Sequence, residues 1–387
     1  MASLTLSRAR SEYFELAQRS SRWRASYFVS RQGDVGQHDL REEYRHLSEG
    51  EKVVLEASLN GPVSLIDLSW SSPLSTTVAK SSIVALADDG WLVPEDADES
   101  AAFRIHRVDI ETCAHCNARC GFCPQSSKTK APAVMSGEIF SKILSGIAPH
   151  RPEWVALNHY GEPLLDPRFK ERCQLLQDHD LPLYLFTNAT LLNDQLVDFI
   201  VKTCKLHGIV FNYPSIHPGE WSSLMKLPER LHPQATRAII AAAESFHGYI
   251  RIVVNGVTDS LSRRAEEVRS AFERFSHVET LQLMSNDRAG AHKPLTLSPI
   301  REGATRLLGC PRIAAHMHFS VEGTAFLCCQ DYHQTVTLGS IQESTPSEIM
   351  AGATATELRR EIYGMTAARS NLLCRTCHRL RRTRSSR

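Results

Sequence analysis

The chain is notable first for what it lacks. Across 387 residues there is no run of eighteen apolar side chains, so no segment reads as a membrane-spanning helix. Neither sign of charge is in excess. Lys and Arg number 44 against 43 Asp and Glu, a formal net charge of +1, which removes the global electrostatic signature of a nucleic-acid binder. The opening residues, MASLTLSRARSEYF, contain no signal-peptide apolar core. Together these absences predict a cytoplasmic protein with neither a membrane nor a nucleic acid as partner. The first hundred residues also lack cysteine altogether.

Elsewhere the chain holds eleven cysteines. In a reducing compartment they read as metal ligands or core residues rather than disulfides. Cys173 and Cys204 fall in helical patterns and read as buried, inert thiols. The other nine form two groups. In the first, four cysteines lie within eleven residues: Cys113-Ala-His-Cys116-Asn-Ala-Arg-Cys120-Gly-Phe-Cys123. The last three are spaced C-x3-C-x2-C. Three thiolates on one loop can hold three irons of a cubane cluster and leave the fourth open to a small molecule. A closed four-cysteine site can only stabilise structure or pass electrons.

The chain reads as three parts: 1–100, 101–300 and 301–387. In the first, a helical run near Glu51, a Gly61-Pro62 break, a second helical run at Ile83–Leu86 and a short strand at Trp91–Val93 suggest a small winged-helix-like domain. In the second, strand-like runs at Arg104–Ile110, Val155–Asn158, Leu183–Thr187, Ile209–Tyr213, Ile250–Val254 and Thr280–Met284 alternate with helical runs. That alternation predicts an α/β fold with a parallel sheet, a partial barrel of six units, two short of a complete one. Chemistry on such sheets sits at the C-terminal ends of the strands, where the cysteine loop falls. In the third part short runs and the second cysteine group replace the alternation. The last nine residues include Arg379, Arg381, Arg382, Arg384 and Arg387, which read as a solvated tail.

The C-x3-C-x2-C loop after the first strand resembles that of the radical S-adenosylmethionine (SAM) superfamily. Glu111 and Asn117 flank it as in many members, and Phe122 supplies the usual aromatic before the last cysteine. The resemblance implies that Cys116, Cys120 and Cys123 bind a 4Fe-4S cluster whose open iron is chelated by SAM. Reductive cleavage would then yield methionine and a 5′-deoxyadenosyl radical that abstracts a substrate hydrogen, with flavodoxin or ferredoxin as electron donor. The cofactor carries the hard chemistry, and the protein orients it. By the same resemblance Gly161, Glu162 and Pro163 hold the amine of SAM. Thr187 and Asn188 contact the ribose, and Asn212 reaches the ribose or the carboxylate. Cys113 replaces the usual polar residue and is expected to be a bystander thiol.

The second group, Cys310, Cys328, Cys329, Cys374 and Cys377, resembles the SPASM and "twitch" extensions that follow radical SAM barrels. It implies one auxiliary 4Fe-4S cluster held by Cys310, Cys328, Cys374 and Cys377. A structural zinc at the same thiolates is the competing reading. Cys329 is left over, either packed or a thiol hydrogen donor to a substrate radical as in radical epimerases. Asp331 and Tyr332 are candidate substrate contacts. A single auxiliary cluster resembles enzymes that dehydrogenate sugar-like or aminocyclitol alcohols, so a small hydroxylated metabolite, oxidised or epimerised, is the first expectation. The N-terminal domain favours the alternative, a precursor peptide modified by a maturase. A non-catalytic iron–sulfur or zinc scaffold is the reading of a different class.

Overall fold

The computed structural model describes residues 22–377 apart from 42, 128–130, 257–259, 285–287, 290 and 293–306. The arginine-rich tail lies outside the described residues. The N-terminal part opens with β1 (Trp23–Ala25), followed by an antiparallel meander of β2 (Val29–Gln32), β3 (Val35–His38) and β4 (Glu43–His46). Three helices follow: α1 (Glu49–Asn60), α2 (Leu65–Ser71) and α3 (Thr76–Asp88). Each starts at a serine, since the side chains of Ser48, Ser64 and Ser75 accept hydrogen bonds from otherwise unpaired first-turn amides. β5 (Leu92–Pro94) then returns to pair antiparallel with β1. Val54, Leu55, Leu68, Ile83, Leu86 and Trp91 fill the core between these elements. The sequence pattern announces α1, α3 and β5 but not α2 or the meander. The meander strands, VSRQ, VGQH and EYRH, are four residues each and too polar to show an alternation.

The middle part alternates as its pattern implies. It runs β6 (Arg107–Ile110), α4 (Gly137–Ile147), β7 (Trp154–Ala156), α5 (Phe169–Asp178), β8 (Leu183–Thr187), α6 (Asp194–Thr203) and β9 (Leu206–Asn212). After β9 come α7 (Pro218–Met225), α8 (His232–Ser245), β10 (Tyr249–Gly256), α9 (Ser260–Phe272) and β11 (Val278–Met284). The C-terminal part supplies α10 (Pro311–Ala315), β12 (His316–Phe319), β13 (Thr324–Phe326), β14 (Thr337–Ser340), α11 (Pro346–Ala351) and α12 (Ala353–Ile362).

One sheet unites the last two parts, in the order β11-β10-β9-β8-β7-β6-β12-β13-β14. The six expected strands are parallel, and β12 adds a seventh by pairing parallel with β6. β13 and β14 continue it as an antiparallel hairpin. Alternation divides the strands into two faces. Val108, Ile110, Val155, Leu185, Phe211, Val254, Met317 and Phe319 pack outward among the helices with Phe140, Ile143, Leu176 and Ile239. Trp154, Ala156, Tyr184, Val210 and Val253 gather on the inner, concave face. No helix among the described residues is long and apolar enough to cross a membrane.

Candidate functional site

The cysteine loop leaves β6 at the C-terminal edge of the sheet, and two neighbours and its own turn shape it. The end of α7 receives two of its amides, Arg119 N–H to Met225 O at 3.1 Å and Gly121 N–H to Leu224 O at 3.1 Å. Its own turn is closed by Cys123 N–H to Cys120 O at 2.9 Å. The third support is the end of β7, where Glu162 N–H donates to His115 O at 2.9 Å. Gly161 permits that approach, because a Cβ there would stand 1.8 Å from Cys113 O.

Cys116, Cys120 and Cys123 converge, and Cys113 does not. Burial raises the Cys116 thiol to about 12, with the Glu162 carboxylate adding to it. Burial also pushes Cys120 well up, followed by the charges that Cys123 and Cys116 would carry. The Cys113 sulfur turns to His115 Nδ1, 3.3 Å away, and its electrostatic neighbours are Asp166, Glu162 and Glu111 rather than the other thiols. Donors approach the converging sulfurs: Ala118 N–H at 3.4 Å and Asn188 Nδ2 at 3.9 Å from Cys116, and Asn212 Nδ2 at 4.0 Å from Cys120. Three thiols with N–H groups turned to their sulfurs fit a cubane with one open iron, since metal binding displaces thiol protons and such donors tune the cluster.

The residues expected to hold SAM are brought beside this loop. The Glu162 carboxylate accepts from Thr187 Oγ1 at 2.7 Å, Asn188 N–H at 2.9 Å and Leu164 N–H at 3.3 Å. Pro163 opens a short 3-10 turn behind it. Asn188 Nδ2 donates to Asn117 Oδ1 at 2.8 Å, and Asn117 Nδ2 to Thr190 Oγ1 at 2.9 Å. Asn212 accepts from Asn255 Nδ2 at 2.8 Å, and Phe122 is buried in the main core.

Burial raises Glu162 to about 7, against the three hydrogen bonds that favour its charge. A carboxyl whose pKa rises on folding contributes its stability below its unfolded value and loses it as pH climbs toward 7. The melting temperature of the cluster-free wild-type protein is therefore expected to fall between pH 5 and pH 8. The Glu162→Gln variant, with no proton to lose, should show a shallower fall in a pH series of thermal melts.

The second cysteine group assembles in its own core. Cys310, Cys328, Cys374 and Cys377 lie with Leu307, Ile313, Leu327, Leu358, Tyr363 and Leu372. Burial raises Cys374 well above its usual value, then Cys310 and Cys377 add to it. Cys328 is raised by burial, then by Cys329, Cys374 and Cys310. Cys329 faces the other way, its sulfur accepting from Arg312 Nε at 3.2 Å and Gln330 Nε2 at 3.8 Å. Burial is the largest influence and would raise that thiol, but Arg312, His318 and Arg288 together offset it and bring Cys329 to about 7. Asp331 is turned into its own loop, with both carboxylate oxygens accepting from Thr335 and Val336. Tyr332 donates to Gln125 Oε1 at 3.2 Å and packs edge-on to Tyr160, whose hydroxyl donates to Cys329 O at 2.8 Å. Two tyrosines thus bridge the two cysteine groups. Among the described residues no three His, Cys, Asp or Glu side chains surround a point as ligands of a single metal ion do. A cubane distributes its thiolates over several irons and asks for a wider spread.

Sequence reasoning singled out Glu111 but missed its inner-face companions. Arg107 and Asp109 point into the concave side from β6, below Glu111 at its end and beside His316 and His318 of β12. The signal was present in R-V-D-I-E and H-M-H-F, where every second residue is ionisable.

Residues 310–378 match the family model described as SPASM, an iron-sulfur cluster-binding domain. No curated protein matches the chain. Among solved structures, Streptococcus suis SuiB bound to precursor peptide SuiA matches with a TM-score of 0.56 at 13% identity, over 92% of this chain and 93% of that one. The anSMEcpe structure with bound AdoMet matches at 0.50 and 14% identity, over 71% of this chain and 83% of that one. BtrN in complex with AdoMet and 2-DOIA reaches 0.45 at 15% identity, over 68% and 89%, too loose a likeness to build on. These likenesses show a shared fold, which in this chain is a partial parallel barrel whose cysteine loop follows the first barrel strand. The chain joins that fold to the C-terminal segment, residues 310–378, that matches the iron-sulfur cluster-binding model.

Proposed function

We propose that the protein is a radical SAM enzyme that oxidises a peptide substrate. The observation that carries the radical chemistry is the convergence of Cys116, Cys120 and Cys123 with Cys113 turned away, at the C-terminal edge of a parallel sheet. When bound, the cluster of that loop supplies an open iron for the methionyl group of SAM and the electron for its reductive cleavage. Around it, the backbone of Gly161–Pro163 is the support for the SAM amine. Glu162 braces that segment against Thr187 and Asn188. Asn188 and Asn212 serve twice, as donors near the cluster sulfurs and as polar neighbours of the ribose. Cys310, Cys328, Cys374 and Cys377 would hold a second, closed cluster that accepts electrons, a reading that their shared core supports.

The choice of a peptide over a small hydroxylated metabolite rests on the N-terminal part. The likeness to SuiB, a structure with a precursor peptide bound, extends over 92% of this chain. Among the described residues β4 is an edge strand with no partner on its outer side, and Tyr44 on it is 66% exposed. An extended peptide can add to such an edge through main-chain hydrogen bonds. Tyr44→Ala is expected to raise the KM for the peptide about tenfold, the scale of one lost aromatic anchor, measured by initial rates.

The test is anaerobic reconstitution followed by incubation with SAM, dithionite and any short peptide encoded beside this gene. The expected result is 5′-deoxyadenosine plus a peptide lighter by two hydrogens. Fully iron-loaded protein that releases no 5′-deoxyadenosine would make the scaffold reading correct. Radical formation with oxidation of a polyol, but of no peptide, would restore the metabolite reading.

A further inference from the structure

We propose that the Asp109–His318 pair is the proton acceptor of the concave face. This rests on the oxidative reading above. β6 and β12 pair in register, His316 beside Arg107 and His318 beside Asp109, and both strands bury their alternate residues, Val108, Ile110, Met317 and Phe319, on the opposite side. The ionisable residues therefore form layers rising along the inner face. Arg107 and His316 make the lowest, Asp109 and His318 the next, and Glu111 with His159 the one nearest the cysteine loop, its carboxylate 3.7 Å from His159 Nδ1.

The middle layer has the features of a base. His318 Nδ1 stands 3.1 Å from Asp109 Oδ2. The imidazole side chain is 1% exposed, and apart from the ion-pair approach of Asp109 neither ring nitrogen has a hydrogen-bond partner among the described residues. A buried imidazole left so calls for a partner that comes and goes, such as water or substrate. The Asp109 side chain keeps 18% exposure, so the pair opens onto the concave space. A carboxylate at this distance stabilises the imidazolium that forms when the ring takes a proton. The other charged or titratable groups facing it are His316 and Arg107 below, Arg312 of α10 and Cys329 of the SPASM loop. Phe326 packs against the rings of both His318 and His159.

The balance of the oxidation shows what such a base does. Converting a substrate H–C–X–H group, with X nitrogen or oxygen, to C=X removes two hydrogens. One leaves as an atom, forming 5′-deoxyadenosine from the 5′-deoxyadenosyl radical. The second would leave as a proton from X–H, taken by His318, and an electron, for which an oxidised iron–sulfur cluster held by Cys310, Cys328, Cys374 and Cys377 would be the acceptor. The C–H and X–H bonds break and the C=X π bond forms.

Two measurements on the full chain decide this. The first needs no turnover: imidazole nitrogen NMR of histidine-labelled protein, with His318→Gln identifying the resonance. Asp109→Asn should move the His318 ring-nitrogen resonances, because it removes the carboxylate 3.1 Å from Nδ1. Resonances that ignore Asp109→Asn overturn the pairing. The second is the ratio of 5′-deoxyadenosine to oxidised peptide in the reconstituted enzyme across pH. His318→Gln should raise that ratio about 100-fold, the scale of one lost general base, and flatten its pH dependence. An equal fall in both products, or an unchanged ratio, overturns the role. Absence of 5′-deoxyadenosine from the wild type instead fails the radical reading itself, and the first measurement still judges the pair.

Discussion

Cys116→Ala is expected to abolish 5′-deoxyadenosine formation, while Cys113→Ala keeps it. Both residues lie in the same short loop, three positions apart, and the C-x3-C-x2-C spacing that marks Cys116 as the ligand does not by itself show which way each sulfur turns. Geometry does. Cys116 faces Cys120 and Cys123 and is approached by Ala118 N–H and Asn188 Nδ2. Cys113 is 1% exposed, lies against His115 and forms a bridge to Val134 through its backbone. Losing Cys116 leaves two thiolates for three irons, and a cubane with two protein ligands does not persist under SAM turnover. Reconstituted wild type should bind about eight irons per chain for two cubanes, and Cys116→Ala about four. Cys113→Ala should match the wild type in iron and in 5′-deoxyadenosine, apart from the small stability cost of a trimmed buried side chain. If Cys113→Ala also lost the first cluster, the loop would be a closed four-thiolate site and the protein no SAM-cleaving enzyme.

The same contrast shows how far the sequence carries the architecture. Six parallel strands were legible because each is a run of apolar residues between helical repeats. The order of Cys116, Gly161, Glu162, Thr187, Asn188 and Asn212 on successive strand ends was legible for the same reason. β12 was not, since its pairing with β6 joins residues some two hundred positions apart through four residues of His-Met-His-Phe. Local pattern says nothing of such a partner. The layers of Arg107, Asp109, His316 and His318 exist only once that pairing is made. Side-chain direction was equally hidden. Cys328 and Cys329 are neighbours, and only the fold turns the first to Cys374 and the second to Arg312. Asp331 reads as a candidate substrate contact by sequence, yet it accepts the amides of Thr335 and Val336 and so shapes its own loop.

Gly161→Ala should be as damaging to the first cluster as the loss of a ligand, although glycine ligates nothing. The added methyl would stand 1.8 Å from the carbonyl oxygen of Cys113 and 3.0 Å from that of His115. Both are backbone atoms, so no rotamer change relieves the contact. Either the end of β7 retreats or the cysteine loop lifts. The first option breaks Glu162 N–H to His115 O and shifts the carboxylate that accepts from Thr187 and Asn188. The second moves Cys116 away from Cys120 and Cys123. Overpacking of this kind costs ~1–3 kcal/mol even where side chains can adjust, and a backbone clash sits at the upper end. The expected outcome is a lowered melting temperature and about four irons per chain in place of about eight, with the SPASM cluster retained. Gly121→Ala supplies the comparison within the same loop, because a Cβ there meets nothing within 4 Å. That variant should reconstitute like the wild type. Equal iron content in the two variants would show that the approach of β7 to the loop is not what holds Cys116 in place.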